Sequence, residues 1–126
     1  MDFRESQPIY LQIANHVCEK ILLRELKPGQ RIPSVRELAV QLEVNPNTVM
    51  RTYEHLQQLD IIYNQRGIGY FVSPNAFKTA LRYRKGEFTE KDLPGLFRSM
   101  YLLEMEIDEI GRLYEKYIKL HFTINK

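Results

Sequence analysis

Apolar residues recur at every fourth position from Ile9 through Ile13 and Val17 to Ile21, behind a proline suited to a first helical turn, and predict a helix from Pro8 to about Leu23. Leu26-Lys27-Pro28-Gly29-Gln30 interrupts it, and Arg31-Ile32-Pro33 reads as a short extended piece. A second helix starts at Ser34. In Ser34-Val35-Arg36-Glu37 the hydroxyl and the carboxylate each satisfy an end amide, forming a capping box, and Val35, Leu38, Ala39 and Leu42 make the buried face. After a turn at Glu43-Val44, Asn45-Pro46 reads as an N-cap followed by proline at the first helical position. This third helix buries Val49, Thr52, Tyr53 and Leu56 and turns Asn47, Arg51, Glu54 and Gln58 outward. Near Leu59-Asp60 it stops. Ile61-Ile62-Tyr63 and Tyr70-Phe71-Val72, joined by Asn64-Gln65-Arg66-Gly67-Ile68-Gly69, predict a hairpin.

Past Ser73-Pro74-Asn75 the pattern predicts a short helix over 75–84 with Phe77 and Leu81 on one side, ended by Gly86. A longer helix then begins near Leu93, with one stripe through Leu96, Phe97, Met100, Leu103, Ile107, Ile110, Tyr114, Tyr117 and Leu120. As a single rod it would reach about 42 Å at ~1.5 Å per residue, more than a small domain covers, so its apolar face calls for a partner chain. Gly111 inside it has two readings, close helix approach at a dimer seam or simple tolerance. The expected fold is mainly α with a small β-hairpin (α+β): a winged helix-turn-helix over 1–73 and helical dimerisation elements over 74–126.

Composition changes this picture little. The chain has 126 residues, 27% charged and 44% hydrophobic, which fits one domain or a small domain with an appendage. No apolar run approaches the ~20 residues of a membrane span, and Met1-Asp2-Phe3-Arg4-Glu5 is too charged to open a signal peptide, so the cytoplasm is expected. Cys18 is the only cysteine, which leaves no intramolecular disulfide and no cysteine-based zinc site, and it reads as a buried thiol on the first helix. His16, His55 and His121 lack metal-ligand spacing and read as structural or surface residues. There is no phosphate loop, His-Glu-x-x-His or nucleophile elbow, and Gly67-Ile68-Gly69 precedes a strand rather than a helix. Neither enzymatic activity nor a cofactor is expected. The net charge of +2 decides nothing, because phosphate neutralisation depends on where the cations sit.

Placement points to DNA. Two short helices joined by a tight turn, the second with polar residues at its exposed N-terminal end, suit entry into a major groove. Asn47 has the chemistry to bond an adenine edge twice and Arg51 a guanine edge; Thr48 and the helix N-terminal amides fit phosphate. Singly, each of these residues reads equally well as solvated surface; together they favour DNA. Arg36 is placed to reach phosphate or a base edge, against a surface ion pair as its alternative. Arg66 lies at the hairpin tip, where a cation has access to the minor groove, against a plain hydrophilic turn. Lys78, Arg82, Arg84 and Lys85 read as a solvated face.

Pro8-Ile9-Tyr10-Leu11-Gln12-Ile13, Leu26 through Ala39, Val44-Asn45-Pro46-Asn47-Thr48-Val49 and Gly67-Ile68-Gly69-Tyr70-Phe71-Val72 follow, in order, the DNA-binding pattern of a known family. Over residues 8 to 72 the chain resembles the GntR family of bacterial regulators, in particular its short YtrA-like subfamily. The resemblance implies a winged helix in which Arg36, the start of the recognition helix (Asn45, Pro46, Asn47 and Thr48) and the wing (Arg66 and Gly67) touch operator DNA. Two departures stand out. Met50 occupies a position where many members place a basic or polar DNA-contacting residue, which moves that expectation to Arg51, and Asp60 replaces a common helix-ending glycine. Larger members carry a ligand-binding or aminotransferase-like domain; about fifty residues after the wing are too few for an enclosed effector pocket. The subfamily instead dimerises through C-terminal helices, and here Phe97, Met100, Leu103, Ile107, Ile110, Tyr114 and Tyr117 are the expected seam.

The function expected from this is a homodimeric repressor of transcription on an inverted-repeat operator, with double-stranded DNA and a second copy of the chain as partners. The alternative is a winged helix used as a protein-interaction module, without specific DNA binding. No effector is identified by the sequence.

Overall fold

The computed structural model describes residues 7–122; the charged stretch 1–5 weighed above as a signal peptide lies outside them. The elements run α1 (Ile9–Leu22), β1 (Arg31–Ile32), α2 (Val35–Leu42), α3 (Pro46–Gln58), β2 (Ile62–Gln65), β3 (Gly69–Val72), α4 (Ala76–Glu87), a π-helical turn (Phe88–Asp92), α5 (Leu93–Leu102) and α6 (Ile107–His121). The strands form one antiparallel sheet in the order β1-β3-β2, with Arg31 opposite Phe71 and Gln65 opposite Gly69. Among the described residues, no helix is long and apolar enough to cross a membrane.

Local chemistry sets the first helices. The Ser34 hydroxyl accepts from the Glu37 amide and the Glu37 carboxylate accepts from the Ser34 amide, at 3.1 and 2.8 Å. The Asn45 side chain accepts from the Asn47 amide at 2.8 Å, and Pro46, with no N–H to satisfy, takes the first helical position. Helix ends follow one rule as well. Arg24, Glu43, Asp60 and Glu104 have left-handed φ, between 56° and 66°. In each case that residue's N–H bonds the carbonyl three back, and the next N–H the carbonyl five back, as in Val44 to Ala39 and Ile61 to Leu56. This double closure satisfies two end carbonyls and offsets the roughly 1–2 kcal/mol that a side chain costs in this conformation.

The core of the first unit gathers Ala14, Val17, Cys18 and Ile21 of α1, Ala39 of α2, Val49, Tyr53 and Leu56 of α3, Ile32, Ile61, Ile62 and Val72 of the sheet region, and Ala76 and Ala80 of α4. Fully burying a leucine, isoleucine or valine stabilises by ~1.5–3 kcal/mol, so this cluster dominates the energetics. Its polar members are satisfied. The Thr52 hydroxyl donates to the Tyr10 carbonyl at 2.8 Å and the Tyr53 hydroxyl to the Pro33 carbonyl at 2.6 Å. Burial pushes the Cys18 thiol up to about 11, against the opposing pull of Arg84.

Three expectations require correction. Gly86 does not end α4: it lacks the left-handed φ of a capping glycine, and α4 continues past it to Glu87, after which the π-turn begins. The wider π-turn precedes Pro94, which cannot donate to a carbonyl four residues back and whose ring crowds it. Nor is there one long terminal helix. It is broken at Glu104, where the Met105 amide bonds the Met100 carbonyl at 2.9 Å and closes α5. Finally, Leu42 is half exposed rather than in the core.

Contacts divide the chain into two compact units after Gly86 rather than at Ser73, because Ala76 and Ala80 are fully buried in the first core. In the second unit Met100 is buried, while α6 has no buried residue at all.

Candidate nucleic-acid interface

Helix α3 is held by its inner face. Val49, Thr52, Tyr53 and Leu56 are all buried, and Tyr53 crosses to Tyr70 of β3 edge-on at 4.8 Å between ring centroids. Through its hydroxyl the same Tyr53 grips the chain just ahead of α2, so one side chain ties recognition helix, second helix and hairpin together. Asn45, Pro46, Asn47, Met50, Arg51, Glu54 and Gln58 are left exposed, with Thr48 half-buried. Arg36 is exposed in the first turn of α2, beside the capping box. There the Ser34 amide hydrogen bond holds the Glu37 carboxyl below its ordinary range, so it is ionised close to the helix N-terminus.

The amides at the start of α3 are occupied. Asn47 N–H bonds the Asn45 side chain, Thr48 N–H bonds the Asn45 carbonyl at 2.9 Å, and Pro46 has none. The expectation that these amides hold phosphate is therefore withdrawn, and the side chains carry what this end can do.

At the hairpin the strands close through Gln65 and Gly69, and the Ile68 amide bonds the Gln65 carbonyl at 2.9 Å. Gly67 has φ of 79°, a conformation that a side chain would strain, and Arg66 beside it is exposed at the tip. Sequence reasoning missed two long-range pairings. Arg51 lies over the ring of Tyr10, 4.2 Å from its centroid, and His55 Nε2 is 3.1 Å from the Tyr83 hydroxyl. Tyr10 and Tyr83 belong to α1 and α4, so neither partner is signalled near α3 in the chain. Among the described residues, no three His, Cys, Asp or Glu side chains gather where a metal ion could be held.

The model of the family described as bacterial regulatory proteins, gntR family, matches residues 9–72, which span α1 to the end of the hairpin. The chain belongs to the GntR family. Among its relatives, the uncharacterized HTH-type transcriptional regulator YhcF of Bacillus subtilis is 39% identical, over 86% of this chain and 88% of that protein. The HTH-type transcriptional repressor YtrA of Bacillus subtilis is 38% identical, over 87% and 84%. A crystal structure of a GntR-family regulator from Bacteroides thetaiotaomicron superposes with a TM-score of 0.71 at 46% identity, covering 89% of this chain and 97% of that one. This GntR protein is thus a winged-helix, DNA-binding transcription regulator, in a family of regulators rather than enzymes. The similarity to YtrA and to the Bacteroides protein extends well beyond the DNA-binding half.

Proposed function

We propose that this GntR protein is a cytoplasmic homodimeric repressor whose two recognition helices read the half-sites of an inverted-repeat operator. The observation that carries the proposal is the outer face of α3: its inner face is closed by four buried residues, yet Asn47 and Arg51 stand exposed, as does Arg36 in the first turn of α2. In this reading Asn47 reads a base edge, Asn45, Pro46 and Thr48 border the backbone, Arg36 meets phosphate or a base edge, and Arg66 enters the minor groove with Gly67 allowing close approach. Arg51 exchanges partners. A cation over an aromatic ring contributes about 0.5–2 kcal/mol and a bidentate arginine–guanine contact ~1–3 kcal/mol, and Arg51 itself is exposed, so in this reading it leaves the half-buried Tyr10 for a base.

The dimer forms through the second unit, where Phe97, Leu103, Ile107, Tyr114 and Tyr117 are exposed and Ile110 is half-buried. Met100, buried within the single chain, supports that surface rather than forming it. Fluorescence anisotropy on a labelled duplex from the DNA upstream of its own gene, against a scrambled duplex at two salt concentrations, tests the proposal. Tighter binding to the upstream duplex, weakening as salt rises, is the expected result. Absence of binding at both salts removes the DNA reading and favours a protein-interaction module.

A further inference from the structure

Gly69 opens β3 with a φ of 145°, and a Cβ built on it would lie 2.8 Å from Arg31 Nε, 3.3 Å from Nη2 and 3.5 Å from Cζ. The guanidinium thus occupies the space that a side chain at position 69 would take. Arg31 sits in β1 opposite Phe71, so its head group reaches two positions along β3, about 7 Å at ~3.4 Å per residue. Because β3 runs from the hairpin turn back toward the core, that reach carries the charge toward the tip, where Arg66 and Gly67 lie. Next to its base on the same sheet face, Phe71 stacks on Tyr63 at 5.6 Å.

The cation is exposed, and among the described residues it forms no ion pair. Glu37, the acid on which Arg31 has an electrostatic influence, is engaged by Ser34, and Arg31 is the weakest of the causes acting on it. A positioned, unneutralised arginine pointing along the wing has the chemistry for one class of partner, a phosphate oxygen of the nucleic-acid backbone.

Building on the DNA-binding reading, we propose that Arg31 is a further backbone contact of the wing, and that Gly69 is its positioning residue because only the missing side chain leaves room for the guanidinium. The pair adds a phosphate anchor behind the tip, independent of base sequence.

The test is the salt dependence of affinity of the full chain on the upstream and scrambled duplexes. Arg31→Gln is expected to reduce the slope of log affinity against log salt by about 0.9 per protomer, and to weaken both duplexes alike. Between about 50 and about 200 mM salt this removes roughly 3.5-fold of the loss per protomer. Arg31→Lys should retain the slope. Gly69→Ala should lower it in the wild-type background and change nothing further in the Arg31→Gln background. An unchanged slope for Arg31→Gln, with the fold intact by circular dichroism, overturns the proposal and leaves Arg31 a prop for the wing. If the wild type itself binds neither duplex, the DNA reading has failed first, which is a distinguishable result.

Discussion

Helices α3 and α6 are both amphipathic and of similar length, 13 and 15 residues, yet they use their apolar sides in opposite ways. Val49, Tyr53 and Leu56 of α3 vanish into the core of their own chain. In α6, Ile107, Leu113, Tyr114, Tyr117 and Leu120 all remain more than half exposed. A surface helix normally buries its apolar stripe, and a large exposed apolar patch marks an interaction site. Similar local patterns thus end differently: the first is closed by its own chain, the second stays uncovered within it. In the proposed homodimer the first unit is accordingly the part whose stability belongs to a single chain, and the second the part whose stability would depend on concentration.

The largest effect should come from breaking the α3 side. Leu56→Ala removes a fully buried side chain and should cost ~2–5 kcal/mol, read as a lowered urea midpoint with an unchanged slope. By contrast, Leu120→Ala on α6 should cost under ~0.5 kcal/mol at concentrations where the chain is monomeric. An equal loss for both would mean that the two helices are buried alike in the isolated chain.

Next in size is the α6 side. Ile107→Asp places a charge in the proposed seam, where an unpaired carboxylate is poorly tolerated, and should weaken self-association roughly a hundredfold, about 3 kcal/mol. Sedimentation velocity should show a dimer becoming a monomer with an unchanged circular dichroism spectrum. A sedimentation coefficient equal to that of the wild type would remove Ile107 from the seam.

These contrasts also show what was legible in the chain itself. Ser34 with Glu37, Asn45 with Pro46 and the inner face of α3 are signals written within a few neighbouring residues, and the structure places all of them as read. The family's DNA-binding pattern across residues 8 to 72 was visible for the same reason. Gly86 misled, because a glycine marks a helix end only when the chain needs a left-handed residue there. The break at Glu104 was hidden, since glutamate seldom takes φ of 56°. Arg51 over Tyr10 and Arg31 over Gly69 join residues about forty apart, and no local pattern encodes them.

On the exposed face of α3 the expected effect is smaller and concerns selectivity. Asn47→Ala should reduce discrimination between upstream and scrambled duplexes by ~1–3 kcal/mol while leaving the salt slope intact. Arg51→Ala should cost less, because the proposed base contact would be gained in exchange for Tyr10. Anisotropy titrations of both variants on both duplexes check this, and equal losses on the two duplexes would reassign Asn47 to the backbone.

The smallest effect concerns how individual helices begin. Helix α2 starts with a reciprocal side-chain cap, whereas the caps of α5 and α6 make no side-chain hydrogen bond. Bonding to Ser34 depresses the Glu37 carboxyl in the folded state, so the stability it contributes is fully present above its unfolded pKa, ~4.3, and is lost as pH falls through the lower folded value. Glu37→Gln preserves the capping geometry but not the charge. The stability difference between wild type and Glu37→Gln should therefore be present at neutral pH and close as the solution is acidified below the ordinary carboxylate range, measured as urea midpoints. A difference that stays constant with pH would assign the role of Glu37 to the shape of the cap rather than to its charge.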